Sequence, residues 1–235
     1  MIEKNTTMTK TEPVRAAVFG TSMSGTERTI EYAQELLRQK GLVFNHVSRI
    51  RLIQDQLNNC GHSRVSEEDG RFLINGVRER TTDPSNSISV FVDEHFSFPE
   101  RYGGVAIDDD RCKENLQSTR ATGLGNRLYD VVFKEEWILN YDLAVYMEID
   151  PETILARFRS SECDRKNQHI TKEDIRLWQL FELDSIQKLC NRSNVPLYYI
   201  YDHKKSGAEL TMIVMHHLKH CINRKKKESE AVYEV

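Results

Sequence analysis

Val14-Arg15-Ala16-Ala17-Val18-Phe19-Gly20-Thr21-Ser22-Met23-Ser24-Gly25-Thr26-Glu27-Arg28-Thr29 is the stretch whose reading decides the fold. Residues 14–19 form a short apolar run that reads as a buried strand. A loop of small polar residues bounded by Gly20 and Gly25 follows at once. Residues 26–40 then read as a helix, because Ile30, Ala33, Leu36 and Leu37 recur at helical spacing and Gly41 supplies a stop. A strand, a glycine-bounded loop and a helix in that order form an arrangement that can cradle phosphate. Backbone N–H groups converge on the anion, and the helix N-terminus adds a favourable dipole.

The same alternation continues along the chain. Residues 42–47, 88–92, 141–149 and 195–201 read as further strands. Helical periodicity covers residues 48–59, 67–80, 128–138, 152–159, 171–191 and 208–223. Pro151 suits the first turn of its helix, and Thr171 with Asp174 forms a variant capping box. Residues 93–126 lack periodicity and read as one long loop, a length usually reserved for function. Strands alternating with helices predict an α/β protein in three layers, with a five-stranded parallel sheet covered by helices on both faces. The expected organisation is a tail over residues 1–12, one domain over 13–223 with a lid near 157–170, and a polar tail over 224–235.

Composition narrows the class. The 235 residues are 39% hydrophobic and 29% charged, with 11 Gly and 5 Pro, which suits a packed domain and not a disordered or collagen-like chain. No apolar run reaches membrane-spanning length, and residues 1–15 lack the apolar core of a secretory signal, so a soluble cytoplasmic protein is expected. Thirty-three basic residues against 36 acidic ones leave a net charge of −3 and no global field for nucleic acid. Cys60, Cys112, Cys163, Cys190 and Cys221 are odd in number and never paired as C-x-x-C, so free thiols are expected. His216, His217 and His220 read as helix surface, and Trp137 and Trp178 as core.

Three features carry candidate chemistry. The spacing from Gly20 to Gly25 is G-x-x-x-x-G, the P-loop pattern, but Thr26 and Glu27 stand where that pattern has Lys and Ser/Thr. Either a later helix start brings Arg28 and Thr29 into those roles, or Thr26 supplies the metal-side hydroxyl and a cation arrives from elsewhere. A plain turn without ligand is the bland alternative. Second, the strand ending Val92-Asp93-Glu94-His95 places a carboxylate where doubly wound sheets bind ligands. Asp93 there can hold magnesium or orient an acceptor hydroxyl. Third, Arg157, Arg159, Arg165 and Lys166 follow the fourth strand and could converge on transferring phosphate.

Taken together these residues resemble the P-loop nucleoside monophosphate kinases, and within them the archaeal type of adenylate kinase. The resemblance runs from about residue 14 to 222 and rests on four motifs: the Gly20–Gly25 loop, Asp93 to His95, Phe98-Pro99-Glu100-Arg101-Tyr102, and Asp150-Pro151-x-x-Ile154-Leu155-x-Arg157. It implies a P-loop kinase-like fold with a degenerate Walker A loop and an ATP-dependent phosphotransferase acting on a nucleotide or another small acceptor. ATP and Mg2+ are the implied cofactors. Gly20, Ser22, Ser24, Gly25, Thr26, Arg28 and Thr29 would hold the nucleotide, with Asp93 and Thr26 at the metal. Asp93, Arg157, Arg165 and Lys166 would serve transfer, and His95, Pro99, Arg101 and Tyr102 the acceptor. The alternative is a catalytically impaired member that binds nucleotide or a protein partner in a regulatory role.

Overall fold

The computed structural model describes residues 13–48, 88–99, 119–123, 128–131, 133, 135–160 and 170–232. Five parallel strands form the main sheet: β1 (Arg15–Gly20), β2 (Phe44–Ser48), β3 (Ser89–Glu94), β7 (Leu143–Met147) and β8 (Leu197–Ile200), in the order β2-β3-β1-β7-β8. Three short strands, β4 (Ser97–Pro99), β5 (Thr119–Thr122) and β6 (Leu128–Val131), form a separate antiparallel sheet in the order β4-β6-β5. The helices are α1 (Thr26–Arg38), α2 (Pro151–Ser160), α3 (Lys172–Ser193) and α4 (Ser206–Val232), with a 3-10 turn at Glu135–Asn140.

The central strands are apolar throughout because both faces are covered. Ala16 and Val18 of β1, with Leu143, Val145 and Met147 of β7, enter one core beside Ile30, Ala33 and Leu37 of α1 and Leu210 and Val214 of α4. Their neighbours Ala17, Phe19, Ala144 and Tyr146 enter a second core with Trp137, Ile138 and the α3 residues Ile186, Leu189 and Cys190. Alternate residues of one strand thus feed opposite layers, as a two-sided parallel sheet demands. The expected three-layer α/β architecture is the one formed.

The capping box at Thr171 is complete. Its hydroxyl accepts from the Asp174 N–H at 3.1 Å, and the Asp174 carboxylate accepts from the Thr171 N–H at 3.0 Å. Three expectations change. The helix expected over 128–138 is strand β6 followed by the 3-10 turn, because cross-strand pairing with β4 and β5 overrides local periodicity. The long loop expected over 93–126 contains β4 and β5. The last helix runs on to Val232, through most of the tail expected over 224–235. The helices expected over 48–59 and 67–80 lie outside the described residues. Among the described residues, no helix is long and apolar enough to cross a membrane.

Candidate functional site

The loop between β1 and α1 is bent by two residues in the left-handed region, Met23 (φ 65°) and Gly25 (φ 89°). The Ser24 N–H donates to the Thr21 carbonyl at 2.9 Å and closes the turn. Glycine at position 20 follows from crowding: a Cβ there would lie 2.5 Å from Ser24 Oγ and 3.0 Å from Thr26 Cγ2. Helix α1 starts directly at Thr26, so the late helix start that would shift Arg28 and Thr29 into the Lys-Ser/Thr positions does not occur. Thr29 is committed elsewhere, its hydroxyl 2.7 Å from that of Ser206 at the start of α4.

Three hydroxyls in this loop are buried with no hydrogen-bond partner among the described residues: Thr21 Oγ1, Ser22 Oγ and Ser24 Oγ. Buried polar atoms are nearly always paired, so three together mark a place that a polar guest or water completes.

A guanidinium reaches this loop from across the chain. Arg157, in the last turn of α2, donates through Nη1 to the carbonyls of Met23 (2.8 Å) and Ser24 (2.7 Å). The same nitrogen would lie 3.1 Å from a Cβ on Gly25, so the absent side chain gives the guanidinium its seat. Burial, and then the nearby charge of Arg28, lower the Arg157 pKa from its ordinary value. Two arginines therefore share this corner, at an electrostatic cost that an anion would relieve.

Beside the loop opens a cavity of about 700 Å³ lined by Gly25, Glu27, Arg28, Tyr32, Arg157, His203, Lys204, Ser206 and Gly207, among others. Arg28, Arg157 and Lys204 outweigh Glu27, so its lining is net positive. The wall opposite the loop is the turn after β8, shaped by Asp202, whose side chain accepts from the Lys204 N–H at 2.9 Å and whose carbonyl accepts from the Lys205 N–H at 3.1 Å. Gly207 lets α4 abut the Tyr32 ring, since a Cβ there would come within 2.4 Å of it.

At the end of β3 the register separates the two carboxylates. Asp93 pairs with Val18 and Glu94 with Phe19. In-register neighbours share a face, so Asp93 lies on the α1 side and Glu94 on the α3 side. Glu94 accepts from the Tyr141 hydroxyl at 2.5 Å. Asp93 is 8% exposed and its Oδ1 has no hydrogen-bond partner among the described residues. His95 follows, half-buried, and Pro99 ends β4.

No family model matches the chain, and no curated protein matches it. Among solved structures it is similar to shikimate kinase from Bacteroides thetaiotaomicron, at 11% identity and a TM-score of 0.43, covering 86% of this chain and 98% of that one. It is also similar to an unliganded sugar kinase from Janibacter sp. HTCC2649, at 11% identity and a TM-score of 0.42, covering 88% and 95%. The chemistry of the site rests on its own residues.

Of the residues singled out in the sequence, Ser24, Gly25, Arg28, Thr29 and Arg157 line one cavity. Gly20, Ser22 and Thr26 lie beneath it in the buried part of the loop and the first turn of α1. Arg101, Tyr102, Arg165 and Lys166 lie outside the described residues. Tyr32, His203, Lys204 and Gly207 went unread in the sequence. The one available signal was the D-H-K-K-S-G run after the last strand, because carboxyl ends of parallel strands face the ligand crevice. Among the described residues, no three His, Cys, Asp or Glu side chains gather into a metal site by themselves.

Proposed function

We propose that this chain is an ATP-dependent phosphotransferase that seats the nucleotide's phosphates against the loop from Gly20 to Thr29 and passes one phosphoryl group to a small acceptor. A nucleoside monophosphate is the first candidate acceptor, on the strength of the adenylate kinase resemblance. The carrying observation is the coincidence of three buried hydroxyls, without a partner among the described residues, with Arg157 and Arg28 at the carboxyl end of the parallel sheet. The cavity suits the remainder of the nucleotide, with Tyr32 as an apolar wall and Lys204 and His203 at the polar rim.

Each residue then has a defined task. Loop amides and the hydroxyls of Thr21, Ser22 and Ser24 donate to phosphate oxygens. Arg157 and Arg28 set positive charge where negative charge grows during transfer, the main device of phosphoryl transfer. ATP supplies the phosphoanhydride whose terminal P–O bond is exchanged for one to the acceptor oxygen. Asp93, with its open Oδ1, and Thr26 are the residues that would meet a divalent cation, and their oxygen-rich chemistry fits magnesium. Asp93 is also placed to orient an acceptor hydroxyl. His95 and Pro99 belong to the acceptor side, and Arg101, Tyr102, Arg165 and Lys166 remain assigned by resemblance.

One observation favours a second reading. Arg157 is already spent on the Met23 and Ser24 carbonyls, and Glu27 faces the cavity in the place of a cation. A chain built so could hold nucleotide for regulation without turning it over.

Melting temperature and product formation, followed together with ATP and each nucleoside monophosphate, separate the two. Stabilisation with turnover, lost in Asp93→Asn, supports the phosphotransferase. Stabilisation without product for any acceptor, in the wild type and in Thr26→Lys, selects the regulatory reading. Neither stabilisation nor product removes both.

A further inference from the structure

Tyr32 lies on α1 one turn beyond Arg28, and both side chains line the cavity beside the β1–α1 loop. The other large apolar residues of this helix turn inward, with Ile30 and Leu37 fully buried. Tyr32 does the opposite. It is 57% exposed, and among the described residues its hydroxyl has no hydrogen bond and no aromatic ring stacks on it.

A single exposed aromatic needs no explanation by itself. This one, however, is held in place. A Cβ on Gly207 would collide with Tyr32 Cδ1 and lie 2.9 Å from its Cβ and 3.0 Å from its Cγ, so the backbone at the start of α4 packs against the root and one edge of the ring. The Thr29–Ser206 hydroxyl pair ties the same two helices together at 2.7 Å. The ring is therefore fixed at its base while more than half of it stays open to the cavity.

Positive charge sits one turn below. Arg28 and Arg157 flank the loop, and the rise of an α-helix carries Tyr32 about 6 Å further along the axis than Arg28. A ligand that matches this lining has negative charge at one end and a flat apolar ring at least one helical turn away.

We infer that Tyr32 is the platform on which the purine base of a bound nucleotide stacks, so that it selects nucleotides over bare polyphosphate. The inference rests on the reading of this cavity as a nucleotide site and adds a determinant that the loop does not supply. Amides and arginines recognise phosphate on any compound, whereas an aromatic face contributes only when the ligand brings a ring. Stacking reads the face of the base and not the hydrogen-bonding pattern of its edge. Tyr32 therefore favours the larger purines over pyrimidines and treats adenine and guanine alike.

Calorimetric titration of the full chain with ATP, GTP, tripolyphosphate and adenosine, in the wild type, Tyr32→Phe and Tyr32→Leu, tests this. Tyr32→Leu should lose about tenfold in affinity for ATP and GTP and nothing for tripolyphosphate. Tyr32→Phe keeps the ring and should keep the wild-type affinities. With ring-labelled tyrosine, the resonance missing from Tyr32→Leu should move upfield when ATP or adenosine is added and stay in place with tripolyphosphate. Unchanged ATP affinity in Tyr32→Leu, or a Tyr32 resonance that ignores bound ATP, overturns the platform, while tripolyphosphate binding still upholds the phosphate site. A loss confined to ATP, with GTP untouched, means recognition through the base edge and overturns it as well. Adenosine that moves the Tyr32 resonance, with tripolyphosphate failing to bind, supports the platform and counts against the phosphotransferase reading. Binding of none of the four ligands removes both.

Discussion

Arg157 Nη1 donates to the Ser24 carbonyl at 2.7 Å across 133 residues of sequence, and this bond ties the loop between β1 and α1 to α2. A guanidinium here does two jobs. It holds a loop in which Met23, a residue with a side chain, occupies the left-handed region, and it sets positive charge beside Gly25.

Replacing Arg157 separates these jobs. Arg157→Ala removes two charge-assisted bonds from a half-exposed group and should cost about 1–2 kcal/mol of stability. Nucleotide affinity should fall at least about tenfold, equivalent to ~1.4 kcal/mol. Arg157→Lys should recover part of the affinity and little of the stability, because an ammonium point charge does not reproduce the fork. Calorimetric titration with ATP beside thermal melts checks both, and equal recovery in the lysine variant would contradict the bracing role.

Gly20 and Ser24 should be energetically coupled. Gly20→Ala drives a methyl to within 2.5 Å of Ser24 Oγ and should destabilise by about 1–3 kcal/mol. Ser24→Gly removes that oxygen and its Cβ, so the double variant should be more stable than additivity predicts by at least ~0.5 kcal/mol. Urea melts of the four proteins measure the coupling directly.

The Thr29–Ser206 pair should respond unequally. Ser206 Oγ donates to the His203 carbonyl at 3.1 Å, so the proton between the two hydroxyls comes from Thr29. Ser206→Ala strands a buried donor and should cost about 1–3 kcal/mol, whereas Thr29→Val leaves Ser206 still bonded and should cost less. Because this pair clips the β8–α4 turn to α1, Ser206→Ala should also weaken nucleotide binding at the cavity. Equal destabilisation by both variants would reverse the donor assignment.

Glu182, fully buried on α3, should tilt stability against alkali. Burial holds its folded pKa near 8, above the model-compound value of 4.5, so the native state keeps a proton that the unfolded chain has lost. The contribution is fully present below about pH 4.5 and disappears as pH rises to about 8, by up to ~1.4 kcal/mol per pH unit. The melting temperature of Glu182→Gln minus that of the wild type should therefore climb from pH 5 to 8 and then level. A flat difference would mean that the wild-type carboxyl is ionised in the native core.

Much of the architecture was legible in residue order. Runs such as Ala16 to Phe19 and Leu143 to Met147 are apolar at every position, which in a strand means cover on both faces. The loop from Gly20 to Gly25 could be found because a tight turn into a helix leaves few alternatives to glycine. By contrast, Leu128 to Val131 carries helical spacing yet forms a strand, because its strand character comes from partners on either side and not from its own sequence.

Sequence alone determined the succession of strands and helices, the position of the loop and the pool of charged residues near it, because periodicity and glycine placement are properties of a chain read locally. Tertiary structure decided which of those residues meet. Register sent Asp93 towards α1 and Glu94 to Tyr141, strand order brought Ser206 against Thr29, 177 residues earlier, and the fold of α2 placed Arg157 on the Met23 and Ser24 carbonyls. Periodicity tells a side chain whether it is buried, and only the pairing of strands and the packing of helices tell it beside whom.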